Sequence, residues 1–185
     1  MEVVKHQFSN EIFYVPNWEV EHLLLGTFNP EGGEKVKYFY GRNKNRTWEL
    51  LSEIFGENLN PKDDCFFDLI KQKGIACMDM IDSVEFNKNQ RDYILGKGYS
   101  DNKIINNRVV RKYNTNSILS IIKNNPGIKV YSTWGNGSKL KSWNLEINKI
   151  DGLINLASPS MAARVEKGVD KYLFMLNDWM SKIKL

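Results

Sequence analysis

Short apolar runs alternate along the chain with longer stretches whose apolar residues recur every three or four positions. His22–Phe28 carries Leu23, Leu24 and Leu25 in succession and reads as a strand buried on both faces. Trp48, Leu51, Ile54 and Phe55 fall on one helical face, and Gly56 is a helix stop. Asp63–Lys73 repeats that pattern through Phe66, Phe67 and Ile70 and ends at Gly74. Ile75–Met80 is the next apolar strand. A helix capped by Asn114 or Asn116 runs through Lys123 to the Asn125-Pro126-Gly127 turn. Ile128–Trp134 is strand-like, Gly135-Asn136-Gly137-Ser138 opens a further helix, and Leu153–Leu156 is another short strand. Val169, Tyr172, Leu173, Leu176, Trp179, Met180 and Ile183 form an amphipathic stripe that predicts core packing. Glu11–Val15 predicts a short edge strand, and the Asn-, Lys-, Asp- and Gly-rich run from Glu85 to Arg108 a solvated excursion.

Strands alternating with helices predict an α/β fold: a three-layer α/β/α sandwich around a mostly parallel four-stranded sheet. With 185 residues the chain is expected to be a single domain spanning 1–185. Such sheets bind ligands at the carboxyl ends of their strands. Four loops should share that rim: the segment after Phe28, Asp79-Met80-Ile81-Asp82-Ser83, Gly135–Ser138 and Ala157-Ser158-Pro159-Ser160. Three of them place small residues beside a helix start, where backbone N–H groups can receive phosphate oxygens.

The first rim loop is much longer than an ordinary strand–helix connector. It carries Tyr38, Phe39 and Tyr40 in a row, Asn43 and Asn45, and the cations Lys37, Arg42, Lys44 and Arg46. Its residue types suit a pocket with an aromatic floor, amides to read a base edge and cations toward phosphate. They equally suit a packed surface loop with the aromatics in the core.

Composition narrows the classes. Net charge is +4 at pH 7, which permits an anionic partner without requiring one. No apolar run reaches membrane-spanning length and no secretory leader is visible, so a cytoplasmic protein is expected. Cys65 and Cys77 sit in apolar surroundings and are expected to be buried, reduced thiols. His6 and His22 are not at ligand spacing from them. The Gly135-x-Gly137 pair is no dinucleotide fingerprint, because Leu140 occupies the third small position. Asp79 and Asp82, three apart, fit capping better than a metal pair.

Six segments, in order, resemble the uracil-DNA glycosylase superfamily, closest to the branch of mismatch-specific and hypoxanthine (deoxyinosine) DNA glycosylases. They are LLLGTFNP, YFYGRNKNRTWELLSEIFG, GIACMDMIDS, GYSDNKI, WGNGSKLKSW and NLASPSMAA, spanning roughly residues 22 to 180. The resemblance implies a monofunctional glycosylase of base excision repair. Such an enzyme flips a deaminated base, uracil or hypoxanthine, out of DNA and hydrolyses its N-glycosidic bond. It implies DNA with a deaminated or mismatched base as partner and no metal or other cofactor; no membrane partner and a monomer are expected alongside. Carried onto this chain, it makes either Asn45 or, after a one-residue shift, Asn29 the main catalytic residue, and Phe28, Tyr40 and Asp79 base-binding. Contacts to DNA fall to Arg42, Lys44, Arg46, Gly135, Asn136, Gly137, Ser138, Ser158, Pro159, Ser160, Met161 and Arg164. The chain departs from the family pattern at Phe28, where many members have Asp or Asn, at Asn43, where the branch has Pro, and at Thr47, where it has Phe.

The chemistry needs a stacking surface for the extruded base, donors for its developing negative charge, and a held water. Met161, a long apolar residue in a small-residue loop, is a candidate wedge for the hole left in the duplex. A non-catalytic DNA- or nucleotide-binding protein on the same fold is the alternative.

Overall fold

The computed structural model describes residues 1–9, 16–97, 99–106, 108–134 and 141–184. In chain order the strands are β1 (Glu2–Lys5), β2 (His22–Gly26), β3 (Ile75–Asp79), β4 (Ile81–Phe86), β5 (Val110–Tyr113), β6 (Lys129–Ser132) and β7 (Ile154–Asn155). The helices are α1 (Thr47–Phe55), α2 (Phe66–Gln72), α3 (Arg91–Leu95), α4 (Asp101–Asn106), α5 (Thr115–Asn124), α6 (Lys141–Ile147) and α7 (Lys171–Lys182). The edge strand expected at Glu11–Val15 and the Gly135–Ser138 turn lie outside the described residues.

Four strands form a parallel sheet in the order β3-β2-β6-β7, with helices on both faces. This is the expected three-layer α/β/α sandwich. The period-2 alternation of strand side chains divides the core in two. Leu23, Leu25, Ala76, Met78 and Val130 point to one face, where they pack with Ile94, Ile104, Ile118, Ile121 and Trp143 from α3 to α6. Leu24, Ile75, Cys77 and Tyr131 point to the other, against Trp48, Leu51, Phe66, Ile70, Met175 and Trp179 of α1, α2 and α7. Because all four strands are parallel, the segments after Gly26, Asp79, Ser132 and Asn155 leave from one rim.

A second, antiparallel sheet, β1-β4-β5, was not legible in the pattern. Met80 alone separates β3 from β4, so the chain passes straight from one sheet into the other. The predicted solvated excursion from Glu85 is likewise corrected. It continues β4 to Phe86 and then forms α3 and α4, burying Phe86, Ile94, Ile104 and Ile105. Both helices are short: α3 buries Ile94 alone, and α4 buries Ile104 and Ile105. In α7, Met175, Trp179 and Ile183 are buried at four-residue spacing, whereas Val169, Leu173 and Met180 of the predicted stripe are exposed. The expected stripe was wider than the face the sheet can cover. Cys77 is buried, and burial pushes its thiol up; Cys65, at the α2 cap, is exposed, contrary to expectation.

Candidate active site

The small sheet delivers His6 to the rim. Lys5 pairs with Ser83, the His6 N–H donates to the Asp82 carbonyl at 2.7 Å, and the Gln7 N–H donates to the Asn29 carbonyl at 2.8 Å. His6 thereby sits against the last residue of β3: its Nε2 lies 2.7 Å from Asp79 Oδ2, with side chains 0% and 2% exposed. His6 Nδ1 accepts the Phe8 N–H at 3.1 Å. That bond fixes the neutral tautomer in which Nε2 carries the hydrogen and donates to Asp79. Asn29 Nδ2 donates to the same carboxylate oxygen at 2.8 Å, and Asn114 Nδ2 donates to the Asp79 carbonyl at 2.8 Å.

Asp79 Oδ1 makes no hydrogen bond among the described residues. It occupies the space above Gly26, 2.1 Å from where a Cβ on that residue would lie. Here glycine is required by close approach. Asn29 is oriented by the same contacts. A carboxylate accepting from His6 can only accept from the Asn29 amide nitrogen, so the amide oxygen is turned away from Asp79.

The long loop has two parts. Phe39 is buried in the α1-side core and its carbonyl accepts the Trp48 indole N–H at 2.8 Å. Tyr40 follows with φ of 59°, a left-handed conformation uncommon for a non-glycine residue. Its hydroxyl reaches Thr133 Oγ1 at 3.2 Å, beyond the end of β6. Thr133 Oγ1 spends its own hydrogen on the Leu25 carbonyl at 3.0 Å, so Tyr40 is the donor. Burial, with Cys77 and Asp79 nearby, holds this phenol well above its ordinary pKa and keeps it protonated.

Asn45 and Ser160 form an antiparallel bridge between two rim loops. The Arg46 N–H donates to the Pro159 carbonyl and the Met161 N–H to the Lys44 carbonyl, each at 2.9 Å. The Asn45 side-chain oxygen accepts the Thr47 N–H at 2.9 Å at the start of α1, and its amide nitrogen has no partner among the described residues. Asn45 lines a cleft of about 590 Å³ with Tyr38, Tyr40, Arg42 and Arg46, closed on the far side by Asn58–Lys62. Ser158 and Arg164 line a different cleft, of about 440 Å³, with Trp134 and Asn102.

Several expected roles change at this point. Phe28 is buried in the core, edge-on to His6, and offers no free face to a base; Tyr38 and Tyr40 line the cleft instead. Arg42, expected to face phosphate, lays its guanidinium on the Tyr99 ring, with Cζ 3.9 Å from the centroid. Arg46 pairs with Glu49 at 2.5 Å, a partly exposed contact of little energetic weight. Met161 is half-buried against the α7-side core, which argues against a free wedge, while Arg164 and Lys44 are exposed. Gly135, Asn136, Gly137 and Ser138 lie outside the described residues. Sequence reasoning missed His6, Tyr99, Asp101, Asn114 and Thr133. Only Tyr99 and Asp101 carried a signal, as part of the GYSDNKI segment.

Among the described residues no group of three His, Cys, Asp or Glu side chains could hold a metal ion, and no helix is long and apolar enough to cross a membrane. Comparison with protein families, with curated proteins and with solved structures finds no match to this chain.

Proposed function

We propose that the protein is a monofunctional DNA glycosylase that releases a deaminated base, uracil or hypoxanthine, from DNA by flipping it and hydrolysing its N-glycosidic bond. The observation that carries this reading is the division of labour between two amides on one rim. Among the described residues, Asn29 has its nitrogen committed to Asp79 and its oxygen uncommitted, and Asn45 has its oxygen committed to Thr47 and its nitrogen uncommitted. The first can hold a water through its carbonyl oxygen. The second can donate to a base that gains negative charge as it leaves, a contact whose loss typically costs roughly 10²–10³ in rate. Asp79 draws the attacking water's proton toward its uncommitted oxygen, and Tyr38 or Tyr40 supplies the stacking surface, about 1–3 kcal/mol per base. Lys44 and Arg164 meet phosphate, and the Arg46–Glu49 pair can open to do so.

A second reading, a DNA- or nucleotide-binding protein without turnover, draws on the burial of Phe28 and on the capping bond of Asn45. One experiment separates the two. Oligonucleotides bearing uracil, hypoxanthine or xanthine are incubated with the protein and then probed for abasic sites with alkali. Abasic sites in the uracil or hypoxanthine strand support the glycosylase; tight binding with every strand intact supports the binder.

A further inference from the structure

Tyr99 precedes α4 and Asp101 is its first residue, beside the Phe28–Asn29 segment that follows β2. The Tyr99 hydroxyl oxygen lies 2.5 Å from the Phe28 carbonyl oxygen and 2.6 Å from Asp101 Oδ1. A phenol has one hydrogen to give, and a carbonyl oxygen has none. If Asp101 were ionised, one hydrogen would serve both contacts. One of the two would then press lone pairs together at hydrogen-bond distance. Both contacts are satisfied when Asp101 supplies the second hydrogen. Its acid O–H donates to Tyr99, and the Tyr99 O–H donates to the Phe28 carbonyl.

The charged and titratable groups facing Asp101 are Arg42, Tyr99 and Asp79. Burial raises its pKa; Arg42 and a Tyr99 hydrogen bond oppose that, and the Asp79 charge adds to it. The opposition is limited by geometry. Arg42 lies over the face of the Tyr99 ring, and among the described residues it forms no ion pair with Asp101, although its charge favours the Asp101 carboxylate.

We infer that Asp101 is held as the neutral acid, and that the directed chain from Asp101 through Tyr99 to the Phe28 carbonyl is a positioning device for Asn29. Anchoring the Phe28 carbonyl fixes the peptide plane that precedes Asn29, while the Gln7 N–H fixes the one that follows it. The effect on base release rests on the reading of Asn29 as the water-holding residue. Protonation of Asp101 does not.

Three variants test it. Asp101→Asn keeps a donor toward Tyr99, as the neutral acid does; Asp101→Ala removes it; Tyr99→Phe breaks both links. The carboxyl-carbon NMR resonance of Asp101, assigned by its loss in Asp101→Asn, should stay at the protonated-acid position at neutral pH. The Asn29 side-chain amide resonances should move in Asp101→Ala and Tyr99→Phe and stay in place in Asp101→Asn. Base release should remain within about threefold of the parent in Asp101→Asn and slow about tenfold or more in the other two, the scale of a slightly misplaced group. A carboxylate-type resonance at neutral pH would overturn the inference, and so would Asn29 resonances equally displaced in Asp101→Asn and Asp101→Ala. If the parent protein releases no base from any strand, the glycosylase reading fails, and the two sets of resonances still decide the protonation and the positioning.

Discussion

Gly26 makes the tightest demand on side-chain identity at the site. It leaves room for the Asp79 carboxylate, which His6 and Asn29 hold in place. A methyl group there must displace the carboxylate, and with it the Asn29 amide. Gly26→Ala is therefore expected to slow base release by roughly a hundredfold, as misplacement by about an ångström does. Single-turnover kinetics on a folded variant, verified by circular dichroism, would check this; an unaffected rate would show that Asp79 has slack to move. Thr47 is the opposite case. It stands where the resembled branch has Phe, it is fully buried, and its hydroxyl has no hydrogen-bond partner among the described residues. Removing an unsatisfied buried hydroxyl recovers its desolvation cost, so Thr47→Val should stabilise the fold by about 1 kcal/mol or more. Thermal and denaturant unfolding would measure it, and a destabilised Val variant would mean that the hydroxyl does have a partner.

Elements differ in how openly the chain announces them. The Leu23–Leu25 run, Ile75–Met80 and the Trp48 helix were legible because local periodicity and a Gly stop encode them directly. The antiparallel β1-β4-β5 sheet was not, since its pairings join residues far apart in sequence and its outer strands alternate over only four residues each. That sheet carries His6 to Asp79, across 73 positions, so half of the buried pair was invisible to any local reading. The Asn45–Ser160 bridge is similarly non-local. Its function can be tested by removing one backbone donor. Met161→Pro deletes the N–H that donates to the Lys44 carbonyl and so unpins one loop from the other. Base release is expected to fall by about tenfold or more while the global fold persists. Rates matching the parent, from a variant with a parent-like melting curve, would show that the bridge is incidental to the site.

At the scale of the molecule, a parallel sheet gathers the ends of β2, β3, β6 and β7 on one rim, and a small antiparallel sheet locks that rim from the side. The two sheets meet at Asp79, which ends β3 one residue before β4 begins. The proposed reaction uses this junction as its fixed point: Asn29 is oriented by Asp79 and Asp79 by His6, while Asn45 is held on the bridged loop that follows the same strand. The sequence offered the amides and the rim; their division of labour emerged only from which end of each amide was already engaged. The measurement that tests this account most directly is the appearance of free base, by mass spectrometry under single-turnover conditions, from uracil- and hypoxanthine-bearing strands. The account predicts release of at least one base by the parent protein, and a loss of roughly a hundredfold or more in both Asn29→Ala and Asn45→Ala, each still folded. No free base from either strand, or release undiminished in both variants, would contradict it.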